Sequence, residues 1–208
     1  NRAKYVLANS LAGLADLQQS FPRLKVNVLY NLIEPDIHRG NYVLSSLNNK
    51  FLSIGSNRTV KNYKYLIELW HLSGTCERLQ IIGKDVFKLQ SLLTERGIKN
   101  IELLDFQEDI ITVMSKSKGV IHTSRSEGYS NVLQNAALMG LPVLSTECGG
   151  SAKEVLGDAT YLTGSLSQDV RILNTWLERP NVNHKQTSTL RNKHSPGEVL
   201  QCLSSYLA

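Results

Sequence analysis

No stretch of this sequence stays apolar for anything near the ~18 residues that a membrane-spanning helix needs, which excludes such a helix within the chain. The three cysteines, Cys76, Cys148 and Cys202, are far apart and odd in number. With no CxxC pair, they argue against a zinc site or a disulfide framework and for a reducing compartment. Charge of one sign never accumulates, and the formal net charge of +5 comes from scattered residues. Without a basic stripe interleaved with aromatics, nucleic acid is not indicated. A mild basic balance suits an anionic small molecule or a weak preference for a membrane surface. There is no repeat and no low-complexity tract. The start lacks the charged-then-apolar pattern of a secretory leader. It opens on Asn1 rather than Met and enters a strand-like run at once. We therefore expect a piece of a longer chain whose N-terminal part is absent.

What is present fits one large domain. Of 208 residues, 41% are hydrophobic, enough for a substantial core. Short β-branched or aliphatic runs alternate with helical patterns. Strands are predicted at residues 4–8, 25–30, 51–54, 79–82, 101–104, 119–123, 142–145 and 159–162. Helices are predicted at 11–20, capped by Asn9 or Ser10, and at 63–72, 86–96, 108–116, 131–140, 166–177 and 196–207. Residues 31–47 read as an irregular linker, and 180–194 as a polar loop or a frayed helix. Strands separated by helices of this length imply βαβ units and a parallel sheet, with ligands at the carboxyl edge of its strands.

Three loops at that edge carry candidate chemistry. Gly55-Ser56-Asn57-Arg58-Thr59-Val60-Lys61-Asn62 is a turn with two cations just before a helix. It is neither GxGxxG nor a P-loop, so phosphate charge would be met by side chains; a solvated turn is the plainer alternative. Ser124-Arg125-Ser126-Glu127-Gly128-Tyr129-Ser130-Asn131-Val132 leads into the next helix. Gly128 permits a backbone conformation closed to other residues. The unpaired amides of residues 130–133 face the sheet edge and suit a diphosphate. Glu127 would repel that anion and is better explained as an acceptor for sugar hydroxyls, unless Glu127 and Ser130 merely cap the helix. Glu147-Cys148-Gly149-Gly150-Ser151 lets backbone approach a ligand, or is an ordinary turn. His122 reads as a satisfied core or edge histidine. His38, His71, His184 and His194 show no ligand spacing.

Taken together and in order, these loops resemble the C-terminal, donor-binding half of family 4 glycosyltransferases, which have the two-domain GT-B fold. The resemblance is carried by Gly55 with Lys61-Asn62, Ser126-Glu127-Gly128-Tyr129, Gly140-Leu141-Pro142-Val143 and Gly149-Gly150. Residues 79–83 and Phe106-Gln107-Glu108-Asp109 fit as intermediate landmarks. The resemblance implies a Rossmann-like open parallel sheet flanked by helices. Residues 1–24 would be a remnant of the preceding domain and its junction, 25–194 the donor-binding domain, and 195–208 a C-terminal helix.

It implies catalytic roles for Glu127, Lys61 and Arg58: Glu127 takes hydroxyls of the donor sugar, and Lys61 with Arg58 neutralises the diphosphate. Binding falls to Gly55, Ser126, Gly128, Tyr129, Ser130, Asn131, Val132 and Asn135, the last standing eight positions after Glu127 where the family has a ribose-binding Glu. Ser56 stands where the family has an Arg. The donor implied is a UDP- or GDP-linked sugar, with no separate cofactor and no metal, since cations and helix N-termini replace it. Transfer would retain anomeric configuration and go to a glycan or lipid-linked acceptor in surface polysaccharide synthesis. The setting implied is cytoplasmic, at the inner face of a membrane, with peripheral association. The acceptor domain is the absent N-terminal one, so this piece alone is expected to bind but not turn over. The alternatives are a non-catalytic nucleotide-sugar-binding module and, more remotely, a GT-B-fold epimerase.

Overall fold

The computed structural model describes residues 6–40, 42–44, 49–157, 159, 161–182 and 184–207. Residues 4 and 5 of the first predicted strand, Thr160 of the last, and residues 41 and 45–47 of the predicted linker lie outside these.

The chain opens with a βαβ unit: β1 (Val6–Ala8), α1 (Leu11–Ser20) and β2 (Val26–Val28). Ser10 caps α1, its hydroxyl accepting from the Gly13 amide at 2.8 Å. β1 and β2 form a parallel two-stranded sheet of their own. β2, which lies just after the boundary expected at residue 25, pairs with β1 in this sheet and not with the six-stranded one.

The expected linker contains a helix, α2 (Pro35–Arg39), with Pro35 at its first turn and Gly40 left-handed at its end. Then follow β3 (Lys50–Ile54), α3 (Tyr63–Leu72), β4 (Arg78–Ile82), α4 (Gln90–Glu95), β5 (Ile101–Leu104), α5 (Ile110–Ser115), β6 (Gly119–His122), α6 (Asn131–Leu138), β7 (Val143–Thr146), α7 (Ser151–Leu156), β8 (Tyr161–Leu162) and α8 (Leu166–Glu178). The helix predicted from residue 86 is tighter at first: Val86–Leu89 is a 3-10 turn leading into α4.

The six strands β3 to β8 are all parallel, in the order β5-β4-β3-β6-β7-β8. From β3 the chain builds outward to β5, crosses back to β6 and builds the other way. The crevice between the carboxyl ends of β3 and β6 is thus the topological switch point, where open α/β sheets bind ligands. Alternate strand residues feed two cores. Leu52, Ile54 and Val120 pack with α6 and α7, while Phe51, Leu79, Ile81 and Ile121 pack with α3 and α8. Each fully buried side chain of this kind contributes about 1.5–3 kcal/mol.

The polar stretch at 180–194 also proves helical, as α9 (His184–Lys193), followed by α10 (Pro196–Leu207). Periodicity did not show α9, because it offers the core little beyond Leu190. It docks on α6 through polar groups instead. Thr187 donates to the Ala137 carbonyl at 2.9 Å, and Arg191 to those of Leu138 and Ile37 at 3.3 Å each. These are carbonyls that a helix end leaves without intrahelical partners.

One buried carboxylate fixes the start of α8. Asp169 accepts from the amides of Thr163 and Gly164 at 2.8 and 2.9 Å, from the Thr163 hydroxyl at 2.8 Å, and from the Tyr65 hydroxyl on α3. Burial works to raise its pKa, but these donors outweigh burial and hold it below the ordinary 3.8. Asp169→Ala should therefore cost about 3 kcal/mol in urea unfolding. The wild-type contribution is present in full above pH 3.8 and lost as pH falls below it. An unchanged unfolding midpoint at neutral pH would remove that role.

Candidate functional site

The strand ends at the switch point are shaped by two glycines. Gly55 follows β3 with φ +149°, and a Cβ there would lie 2.9 Å from Lys61 Cε. Gly83 follows β4 with φ +154°, and its Cβ would lie 2.0 Å from the Gly55 carbonyl oxygen. The Tyr63 hydroxyl donates to that same carbonyl at 2.8 Å. The two turns are therefore packed backbone to backbone, with no room for side chains between them.

From this turn Lys61 reaches across to the loop after β6. Its Nζ lies 2.6 Å from Glu127 Oε1, with only 11% and 15% of the two side chains exposed. Backbone contacts align the loops: the Thr123 hydroxyl donates to the Lys61 carbonyl at 3.1 Å, and the Arg125 amide to the Val60 carbonyl at 2.9 Å. The Gly-Gly loop closes the third side, where the Glu127 amide donates to the Cys148 carbonyl at 3.4 Å. Partial burial works to raise the Glu127 pKa. Hydrogen bonds from His122, Lys61 and Ser124 and the charge of Lys61 more than reverse this, lowering it to about 2. Glu127 is thus a carboxylate at any physiological pH, and an acceptor only.

His122, which reads as a core histidine in the sequence, ends β6 beneath this carboxylate. Its Nε2 lies 3.5 Å from Glu127 Oε1 and 3.2 Å from Ser124 Oγ, and its Nδ1 lies 3.3 Å from Cys148 Sγ. Burial works to lower its pKa, but contacts with Cys148 and Glu127 leave it raised. Burial likewise opposes ionisation of Cys148, while His122 and Thr146 lower its pKa overall.

Two cavities flank the loop. One of about 400 Å³ is bordered by Gly55, Ser56, Lys84, Phe106, Val132 and Asn135, with Asn131 at its edge. Lys84 Nζ stands 5.5 Å from the centre of the Phe106 ring. Lys84 and Phe106 received no role from the sequence, although Lys84 follows the end of β4, next to β3 in the sheet, and Phe106 the end of β5, the strand beyond it. The other cavity, of about 940 Å³, is bordered by Tyr65, Arg125, Glu147, Cys148 and Thr163. Within the loop after β6, Ser124 and Arg125 border the larger cavity, and Asn131 and Val132, at the start of α6, the smaller.

The remaining predicted site residues fall differently. Ser130 caps α6, accepting from the Leu133 amide at 3.4 Å, while Glu127 caps nothing and pairs with Lys61 instead. Gly128 is not one of the left-handed glycines, which corrects the conformational role expected of it. Its small size matters because a Cβ would lie 3.3 Å from Asn9 Oδ1. Only the backbone of Tyr129 is at the site; its ring is buried, with the hydroxyl 2.7 Å from His194 Nε2. Ser126 Oγ lies 3.6 Å from where a Gly149 Cβ would be. Arg58 is exposed, borders neither cavity and is not brought to the Lys61–Glu127 pair. Among the described residues no three His, Cys, Asp or Glu side chains gather as metal ligands would. No helix among them is long and apolar enough to cross a membrane.

The fold is that of known GT-B glycosyltransferases. Anabaena HepE, solved with UDP and glucose, superposes with a TM-score of 0.79 at 21% identity, covering 99% of this chain and 63% of HepE. Staphylococcus aureus TarM superposes with a TM-score of 0.81 at 15% identity, covering 97% of this chain and 43% of TarM. In sequence the chain is 32% identical, over 77% of its length and 46% of the relative's, to the Campylobacter jejuni N-acetylgalactosamine-N,N'-diacetylbacillosaminyl-diphospho-undecaprenol 4-alpha-N-acetylgalactosaminyltransferase. It is 28% identical, over 66% of its length and 40% of the relative's, to the amylovoran biosynthesis glycosyltransferase AmsD of Erwinia amylovora. The chain thus spans less than half the length of the curated relatives it matches. The model of the family "Glycosyl transferases group 1" matches residues 36–187, most of the main sheet and its helices, and the chain belongs to that family.

Proposed function

We propose that this chain is the donor-binding half of a retaining glycosyltransferase that builds a polysaccharide or lipid-linked glycan from a UDP-linked sugar. The observation that carries this reading is the Lys61–Glu127 pair at the switch point, one cation and one carboxylate held 2.6 Å apart beside a nucleoside-sized cavity. The base and ribose fill the cavity near Phe106 and Asn135. The diphosphate lies over Lys61 and the amides that open α6, where each charge gains about 0.3–1 kcal/mol or more from the helix end. Glu127 accepts hydroxyl hydrogens from the sugar. The bond from the anomeric carbon to the phosphate oxygen breaks with its electrons left on UDP, a charge that Lys61 and the helix amides stabilise. An acceptor hydroxyl closes the new bond on the same face and gives its proton to the departing diphosphate.

Retention is supported by the Campylobacter relative, whose name describes an α-linkage; UDP-hexosamines are themselves α-linked. The UDP complex of HepE favours UDP over GDP. No cofactor and no metal are assigned a role. The acceptor, held by a partner domain, is a glycan or an undecaprenyl-type diphosphate lipid at the inner face of a membrane.

Calorimetric titration with uridine, UDP and UDP-N-acetylgalactosamine tests the reading. UDP should bind more tightly than uridine. Asn135→Ala should weaken both by the same factor, about three- to tenfold for lost hydrogen bonds to ribose. If neither UDP nor any UDP- or GDP-sugar binds, the donor-binding reading fails. Binding without transfer by the chain joined to its partner domain would favour a non-catalytic module, a role that Asn135 in place of a carboxylate would suit.

A further inference from the structure

Buried His122 is held on both ring nitrogens. The ring is 2% exposed. Nδ1 meets Cys148 Sγ at 3.3 Å, while Nε2 is shared by Ser124 Oγ at 3.2 Å, Ser130 Oγ at 3.5 Å and Glu127 Oε1 at 3.5 Å. Lys61 contacts that same carboxylate oxygen. Cys148 is fixed in turn: its φ of +52° is left-handed, and Sγ sits 3.3 Å from Thr146 Oγ1. The Thr146 hydroxyl also donates to the Ser124 carbonyl. One imidazole thus joins both loops that border the reacting end of the proposed donor site.

We propose that His122 is a positioning residue for Glu127, oriented through Nδ1 by Cys148 and holding the carboxylate through Nε2 so that it faces the donor sugar. This inference rests on the donor-binding reading above. Lys61 alone is a poor anchor, because the diphosphate competes for the same ammonium. When UDP-sugar binds and draws Lys61 toward phosphate, other donors must keep Glu127 in place, and buried His122, with Ser124 beside it, is within reach. The charged and titratable groups that face the ring are Cys148 from the loop after β7, Glu127 from the loop after β6, and Lys61 from the loop before α3. Burial opposes the imidazolium most, and Lys61 opposes it too, but Cys148 and Glu127 outweigh them and leave the ring pKa raised above 6.5. The imidazolium is therefore present below that raised value and lost as pH rises through it.

The test measures UDP and UDP-N-acetylgalactosamine affinities separately. His122→Leu, which keeps volume and removes the donor, should weaken UDP-N-acetylgalactosamine about tenfold while changing UDP less than about twofold, the size expected for one charge-assisted hydrogen bond. His122→Gln should recover most of the loss and flatten the decline in affinity expected as pH rises through the imidazole's raised pKa. An equal loss for both ligands in a folded His122→Leu chain would mark a packing role and overturn the proposal. A second measurement needs no ligand and covers an unfolded variant or a chain that fails to bind UDP. Nitrogen-15 spectra of histidine-labelled chain should show that Glu127→Gln lowers the His122 titration midpoint by about one pH unit. A midpoint that does not move overturns the proposal, whereas absence of UDP binding would count against the donor-binding reading alone.

Discussion

Lys61→Ala is expected to weaken UDP binding by more than tenfold and leave uridine binding unchanged. A charge-assisted hydrogen bond to phosphate is worth about 1.5–3 kcal/mol, or roughly ten- to a hundredfold. The structure adds a second contribution of the same sign. Lys61 is the counter-ion of Glu127 at 2.6 Å, and both side chains are largely buried. Without it, a carboxylate whose pKa is held near about 2 partly by that ammonium would stand close to the incoming diphosphate. The variant therefore loses an attraction and gains a repulsion. Adding Glu127→Gln to Lys61→Ala should remove the repulsion and restore part of the UDP affinity, but not the extra affinity for the sugar. The two losses should be non-additive, as for any pair in contact. Lys61→Arg is no conservative control, because a planar guanidinium does not reproduce the point charge that the ammonium sets against Glu127. Calorimetry with uridine and UDP decides the matter, and unchanged UDP affinity in Lys61→Ala would contradict the assigned role.

The pair behind this expectation shows how far residues alone lead. Lys61 and Glu127 each stand in a legible setting, a polar turn after an aliphatic strand and before an amphipathic helix. Their order along the chain, with the Gly-Pro and Gly-Gly landmarks, made them candidates for one site. That they touch was not legible, since the contact spans 66 residues and depends on β3 and β6 becoming neighbours. Helices α1, α3 and α10 stood out through caps and periodicity. Helix α9 did not, because its docking on α6 is polar, through Thr187 and Arg191, and hydrophobic periodicity carries no trace of such contacts. His122 was legible only as a buried polar residue. Its function as a junction depends on Ser124, Glu127 and Cys148 arriving from two separate loops. Gly128 was given the wrong reason: its backbone is not left-handed, and a Cβ there would only crowd the tip of the Asn9 side chain. A glycine's φ is a property of its surroundings and does not follow from its being glycine.

Gly83 is the glycine on which the site depends most, and Gly83→Ala is expected to be the most disruptive small substitution in the chain. Two costs combine. At φ +154° alanine is strained by about 1–3 kcal/mol. Its Cβ would also lie 2.0 Å from the Gly55 carbonyl oxygen, 2.4 Å from the Gly55 carbonyl carbon and 3.0 Å from the Ser56 amide nitrogen. These are backbone atoms that cannot rotate away, so one strand-end turn must shift. Overpacking of this kind adds about 1–3 kcal/mol, for a total of roughly 2–6 kcal/mol in urea unfolding. Gly74→Ala supplies the internal control: its φ is +64°, nothing lies within 4 Å of its Cβ, and only the backbone strain of about 1 kcal/mol applies. If the two variants unfolded at the same urea concentration, backbone crowding at Gly83 would be refuted. Where Gly83→Ala remains folded at low temperature, the damage should still reach the ligand. The displaced Gly55 carries Ser56 and the contact with Lys61 Cε, so UDP affinity should fall with stability, whereas in Gly74→Ala it should not.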